Sequence, residues 1–136
     1  MPYRIVVIED NSADVCLIKD ALKQAGIGFE IHSIEDGETA RNYIQAPNSV
    51  LPDLVLLDLN FPRIDGMELL RLIRQQASFE SVPVIVWSSL PSHKDLRAIS
   101  EFQGTQVICK PSSFDAFLEL GALIGKVLNS SRSTKA

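Results

Sequence analysis

The chain has 136 residues, 46% of them hydrophobic and 22% charged, with a formal net charge of -4. That length holds one domain with a single core rather than two. The acidic balance, with a pI near 5.1, argues against a dedicated nucleic-acid-binding surface, and no apolar run is long enough to span a membrane.

The start of the chain lacks the charged and apolar regions of a signal peptide, so a cytoplasmic location is the expectation. Cys16 and Cys109 are far apart in sequence and show no metal-ligand spacing; they are expected to be buried thiols in a reducing compartment.

Residues 3–8, YRIVVI, are apolar and β-branched and read as a first strand that ends on Glu9-Asp10-Asn11. Asn11 or Ser12 can cap a helix whose inward stripe is Val15, Ile18, Leu22 and Ala25, stopped by Gly26 and Gly28. Residues 29–34 alternate apolar and polar, which suggests a second strand nearer an edge. Asp36-Gly37 turns into a short helix over Ala40, Tyr43 and Ile44 that ends before Pro47, and residues 48–52 form a loop.

The stretch that organises the chain is 54–66, LVLLDLNFPRIDG. Its apolar run has no alternation, the pattern of a strand buried on both faces in a parallel sheet covered by helices. Asp58 therefore falls at the carboxyl end of a central strand, the edge where open α/β sheets leave a ligand crevice. Pro62 and Asp65-Gly66 turn the chain into a helix with Met67, Leu70 and Ile73 inward. Residues 84–87 are a fourth strand that runs into Ser88-Ser89; its Trp87 marks a packing surface. A weaker helix over 94–102, with Leu96 and Ile99 inward, is closed by Gly104. Residues 105–109 are a fifth strand ending on Lys110-Pro111. Ser112, with Asp115 three residues on, resembles a capping box for a last helix carrying Phe114, Phe117, Leu118, Ile124 and Leu128. Residues 1–128 then form the domain, and 129–136, small and polar, a flexible tail.

Five strands each followed by a helix imply parallel pairing, right-handed crossovers and helices on both faces. The expected architecture is α/β, a flavodoxin-like doubly wound five-stranded sheet of order 2-1-3-4-5 with five helices. In that order the first and third strands are neighbours, which brings Glu9, Asp10 and Asp58 to one edge, with Ser88 and Lys110 delivered there by the fourth and fifth strands. Three clustered carboxylates repel unless a cation joins them. Mg²⁺ suits the site because it accepts few protein oxygens and keeps several waters. With Lys110 as a second positive group, the set suits phosphoryl transfer to Asp58, with Ser88 donating to the product. The plainer readings are a turn cap for Asp58, helix N-terminal acids for Glu9 and Asp10, and a solvated loop lysine for Lys110. None of them requires the whole set at matching strand ends.

Glu9-Asp10 after the first strand, the segment LLDLNFPRIDG, Ser88 after the fourth strand and Lys110-Pro111 after the fifth resemble the receiver domain of two-component response regulators, over residues 3–128. The segment LLDLN-x-P also resembles the small single-domain receivers that serve bacteriophytochrome kinases. The resemblance implies that Asp58 is the phosphoacceptor for a histidine kinase or phosphotransfer protein. It implies a Mg²⁺ site of Glu9, Asp10, Asp58 and the backbone carbonyl of Asn60, with Ser88 as switch hydroxyl and Lys110 as phosphate-binding lysine. A cis Lys110-Pro111 peptide, output by protein-protein contact and a homodimer through the fourth and fifth elements also follow from it, with no direct nucleic-acid contact and no membrane insertion. Such a protein is not an enzyme on a separate substrate; it catalyses only its own phosphorylation and dephosphorylation. Two positions depart from the family pattern. Glu9 stands where Asp is frequent, a variant that preserves metal binding. Val107 stands where Tyr or Phe is frequent, so output rests on Ser88 and loop movement. Val107 is also the feature that favours the alternative of a receiver-like adaptor that never carries phosphate. A phosphohydrolase would need a general acid two residues after Asp58, and Asn60 cannot serve.

Overall fold

Short apolar segments separated by polar turns condense into alternating strands and helices: β1 (Tyr3–Ile8), α1 (Ser12–Gln24), β2 (Phe29–Ile34), α2 (Gly37–Gln45), β3 (Leu54–Asp58), α3 (Gly66–Gln75), a 3-10 turn (Ala77–Phe79), β4 (Val84–Ser88), α4 (His93–Ser100), β5 (Thr105–Cys109) and α5 (Phe114–Lys135). The computed structural model describes residues 2–46, 50–60, 65–89 and 91–135, with side chains to residue 131. The expected turn at Pro62 and the helix stop at Pro47 lie outside the described residues. All strand pairs are parallel, in the order β2-β1-β3-β4-β5, so the sequence expectation of a 2-1-3-4-5 sheet with five helices holds.

Side-chain alternation divides the central strands between two cores. Val6, Ile8, Val55, Leu57, Val84 and Val86 face α2, α3 and α4, where they meet Ala40, Ile44, Leu70, Ile73 and Ile99. Ile5, Val7, Leu54, Leu56, Ile85 and Trp87 face α1 and α5, where they meet Val15, Ile18, Leu22, Phe117 and Ile124. Both faces of β3 are therefore covered, and that is why its sequence shows no alternation. Counting on by twos, Glu9 and Asp58 continue the face that looks toward α1 and α5.

Helix starts are held by short polar side chains. Asn11 accepts from the Ala13 amide, Asp36 from Thr39, Asp65 from Met67 and Ser92 from Asp95, each satisfying an amide that has no partner inside its helix. Gly26, after α1, sits at φ +74°, a conformation that costs other residues a steric penalty.

Five details differ from the sequence reading. Ala25, expected inward, is exposed and forms the C-cap of α1. The cap of α5 is Ser113, whose Oγ accepts from the Ala116 amide at 3.1 Å; the helix starts at Phe114, which shifts the cap one residue past Ser112. The same helix continues to Lys135 instead of giving way to a tail at residue 129. Near that point Asn129 Oδ1 accepts from the Tyr3 hydroxyl at 2.8 Å, which fastens the last turns to the start of β1. Cys16 and Cys109 are exposed, not buried. Cys16 falls outside the Val15, Ile18 and Leu22 stripe, and Cys109 closes a strand at the open edge of the sheet. Finally, the Lys110-Pro111 peptide is trans, and no cis peptide occurs among the described residues.

Candidate functional site

The site is built where strand pairing runs past the strand ends. The Glu9 amide donates to the Ile34 carbonyl, Leu59 to Trp87 and Lys110 to Ser88. These bonds hold the first residue or two after each strand in sheet register, so the side chains there inherit fixed directions. Gly66, the first residue of α3, closes the arrangement from below. A Cβ at that position would come within 2.5 Å of the Leu59 Cα and 2.9 Å of the Asp58 carbonyl oxygen, so only glycine lets α3 begin this close to the Asp58 loop.

Glu9, Asp10 and Asp58 come together as expected. One carboxylate oxygen from each lies within 4.8 Å of the others. Glu9 and Asp58 are buried, at 0% and 2% exposure, while Asp10 is open to solvent. Asp58 Oδ1 accepts from the Asn60 amide at 2.9 Å, which orients the carboxylate. Ser88 is buried at the same edge and accepts from the Asn60 side-chain amide at 3.2 Å. Lys110 also arrives where the sequence places it. Its Nζ lies 2.6 Å from Glu9 Oε1 and 3.4 Å from Asp58 Oδ2.

Two members of the site were not recognised as such from sequence. Asp14 Oδ2 lies 2.9 Å from Lys110 Nζ. Asp14 belongs to α1 rather than to a strand end, and an acid in a first helical turn reads as a response to the helix dipole. The signal that could have found it is its place one helical turn beyond Asp10, on the helix that leads out of the acidic strand end. Trp87 is fully buried, packs edge-on against Phe117 with ring centroids 6.2 Å apart, and has Lys110 Nζ 4.9 Å from its own centroid. That separation is within reach of a cation-π attraction.

Electrostatics follow from this crowding. Burial pushes the Glu9 carboxyl up to about 9; the neighbouring Asp58 and Asp14 carboxylates add to the rise, and Lys110 opposes it. Burial alone would lower the Lys110 pKa, but its contacts with Glu9 and Asp14 and the Asp58 charge outweigh that effect and raise it. The lysine is thus a permanent cation. Glu9 Oε2 is buried with no hydrogen-bond partner among the described residues, an arrangement that costs free energy unless something else binds there. An orphaned carboxylate oxygen beside two more carboxylates is an all-oxygen donor set, which fits a hard divalent cation and not a thiolate- or imidazole-preferring metal.

Comparison with known proteins agrees with this geometry. A family model for the response regulator receiver domain matches residues 5–120. The response regulator Rcp1 of Synechocystis is 35% identical over 75% of this chain and 71% of its own. The probable methanogenesis regulatory protein FilR2 of Methanothrix harundinacea is 33% identical over 84% of this chain and 76% of its own. Among solved structures, the phosphorylated cyanobacterial phytochrome response regulator RcpA superposes with a TM-score of 0.83, at 29% identity over 96% of each chain. The Mn²⁺-bound form of Rcp1 gives 0.79 at 31% identity, covering 90% of this chain and 91% of that one. With a sheet of the same order and an acidic pocket at its carboxyl edge, the chain belongs to the response regulator receiver domain family.

Proposed function

We propose that this receiver takes a phosphoryl group onto Asp58 and signals through the protein contacts that the modified pocket favours. The observation that carries the reading is the burial of Asp58 between two further carboxylates and a lysine at one sheet edge. In the transfer, one Asp58 oxygen forms a bond to phosphorus while the phosphorus-nitrogen bond of a phosphohistidine breaks. The electron pair leaves on the imidazole nitrogen, which takes a proton from water.

Glu9, Asp10 and Asp58 would hold Mg²⁺, with the Asn60 backbone carbonyl as a further ligand, and the bound ion supplies positive charge to the phosphoryl oxygens. Lys110 supplies the protein's own positive charge beside Asp58. The Asn60 amide fixes the rotation of the attacking carboxylate, and Ser88 has a hydroxyl free to turn from Asn60 toward the acyl phosphate. The chain acts on no separate substrate; it promotes only its own phosphorylation and dephosphorylation. The donor is a histidine kinase or phosphotransfer protein, and the similarity to phytochrome response regulators points to a phytochrome-type kinase. The charge balance of the chain gives no support to direct nucleic-acid binding, and no described helix is long and apolar enough to cross a membrane.

Incubation with a small acyl phosphate and Mg²⁺, followed by intact-mass measurement, tests the reading. One phosphoryl group should be added, and Asp58→Asn should abolish the addition. Undiminished uptake by that variant would overturn the assignment. No uptake by the unaltered protein, with partner binding retained, would favour the adaptor alternative.

A further inference from the structure

We propose that Asp14 is a positioning residue for Lys110: by ion-pairing with the amine from α1, it keeps the lysine beside Asp58 when a cation draws on the other carboxylates. The inference rests on the phosphoacceptor reading, and no step of the transfer described above uses Asp14.

Lys110 Nζ has three carboxylate neighbours, at 2.6 Å (Glu9), 2.9 Å (Asp14) and 3.4 Å (Asp58). Two of them, Glu9 and Asp58, belong to the group able to hold a metal; Asp14 does not. A divalent ion on Glu9 and Asp58 therefore takes up carboxyl oxygens that otherwise hold the amine and adds a positive charge that repels it. Asp14 is then the one full countercharge left among these neighbours. Its carboxylate is set by α1, whose first turn is fixed by the Asn11 cap and whose Val15 and Ile18 are buried in the core, so the anchor is stiff. The Trp87 ring gives the amine a second fixed surface. With Asp14 on one side and the indole on another, the amine is confined without occupying Asp58 at close hydrogen-bonding distance. That leaves the carboxylate open to attack phosphorus while a positive charge waits beside it.

A double-mutant cycle separates this role from a structural one. Asp14→Asn keeps the side-chain shape and removes the charge. Initial phosphorylation at saturating acyl phosphate and Mg²⁺ should slow about tenfold, with the half-saturating Mg²⁺ concentration changed far less, and Asp14→Glu should restore most of the rate. In a Lys110→Ala background, Asp14→Asn should cost nothing further. Trp87 is the sole tryptophan, so its emission reports the nearby amine without any phosphoryl chemistry. That emission should change on Asp14→Asn in the metal-free protein and should not change when Lys110 is already Ala. An equal loss of rate in both backgrounds, or an unaltered rate and emission in Asp14→Asn, would overturn the proposal. Failure of Asp58→Asn to block phosphorylation would instead overturn the phosphoacceptor reading, leaving the emission measurement to judge Asp14 alone.

Discussion

Glu9 is a fully buried acid whose carboxyl is pushed up to about 9 by burial, and this gives the metal-free protein an unusual dependence on pH. In the unfolded chain the same group titrates near the ordinary glutamate value of about 4.3. Between those values the folded state holds a proton that the unfolded state has released, so stability falls as pH rises. The extra stability is complete below the unfolded pKa and is lost as pH passes through the folded one. One proton changes the folding free energy by at most about 1.4 kcal/mol per pH unit, so about two units of pH remove up to about 3 kcal/mol. That is a large share of the about 5–15 kcal/mol available to a domain of this size. Urea unfolding in excess chelator, from about pH 6 to about pH 8, measures the slope. The midpoint should fall across that range in the unaltered protein and stay nearly level in Glu9→Gln, which retains the shape without the titration. A midpoint that is flat or rising in the unaltered protein, or an equal slope in both proteins, would refute the argument.

The same proton must leave before a cation can bind, so Mg²⁺ affinity should increase with pH below about 9 and binding should release protons; calorimetry in buffers of differing ionisation enthalpy detects the release, and its absence would count against Glu9 as a ligand. Replacing Lys110 by Met strips Glu9, Asp14 and Asp58 of their shared cation. It should destabilise the metal-free protein by about 3 kcal/mol, the low end for a buried pair because the lysine side chain keeps 18% exposure; excess Mg²⁺ should recover part of the loss in urea melts. Gly66→Ala drives a Cβ into the Leu59 backbone and should cost about 1–3 kcal/mol, lowering the thermal midpoint with or without Mg²⁺. Both cysteines are exposed, so a thiol reagent should modify both in the native protein; reaction only after unfolding would contradict the described surface.

The sheet and most of the pocket were legible in the sequence because each apolar run ends on a residue of distinct chemistry. The run 54–57 has no polar face, which places its strand at the centre; Glu9 and Lys110 follow directly on the ends of their strands, and Ser88 is the last residue of its own. Once the strand order is set, adjacency follows from register rather than from tertiary detail. Asp14 was not legible by that route, since its distance from Lys110 depends on how α1 lies across the sheet and not on any strand end. A ring as bulky as Trp87 on a strand implies a packing surface, and it does pack against Phe117, but its place beside Lys110 depends on the long-range meeting of two strand ends. Cysteine burial failed because a compositional tendency says nothing about the helix face or sheet edge that an individual Cys16 or Cys109 occupies. The end of α5 failed for a related reason. Small polar residues have weak helical preference alone, and the Tyr3 to Asn129 hydrogen bond is a long-range contact that local pattern cannot reveal.

The convergence of three carboxylates and one lysine matters only if phosphorus is carried on the residue at their centre. Hydride reduction of the phosphorylated protein, followed by peptide mass mapping, marks the acyl phosphate at the residue that bore it. Reduction confined to Asp58 is the predicted result, and a mark on Asp10, on Glu9 or on no carboxylate at all would contradict it.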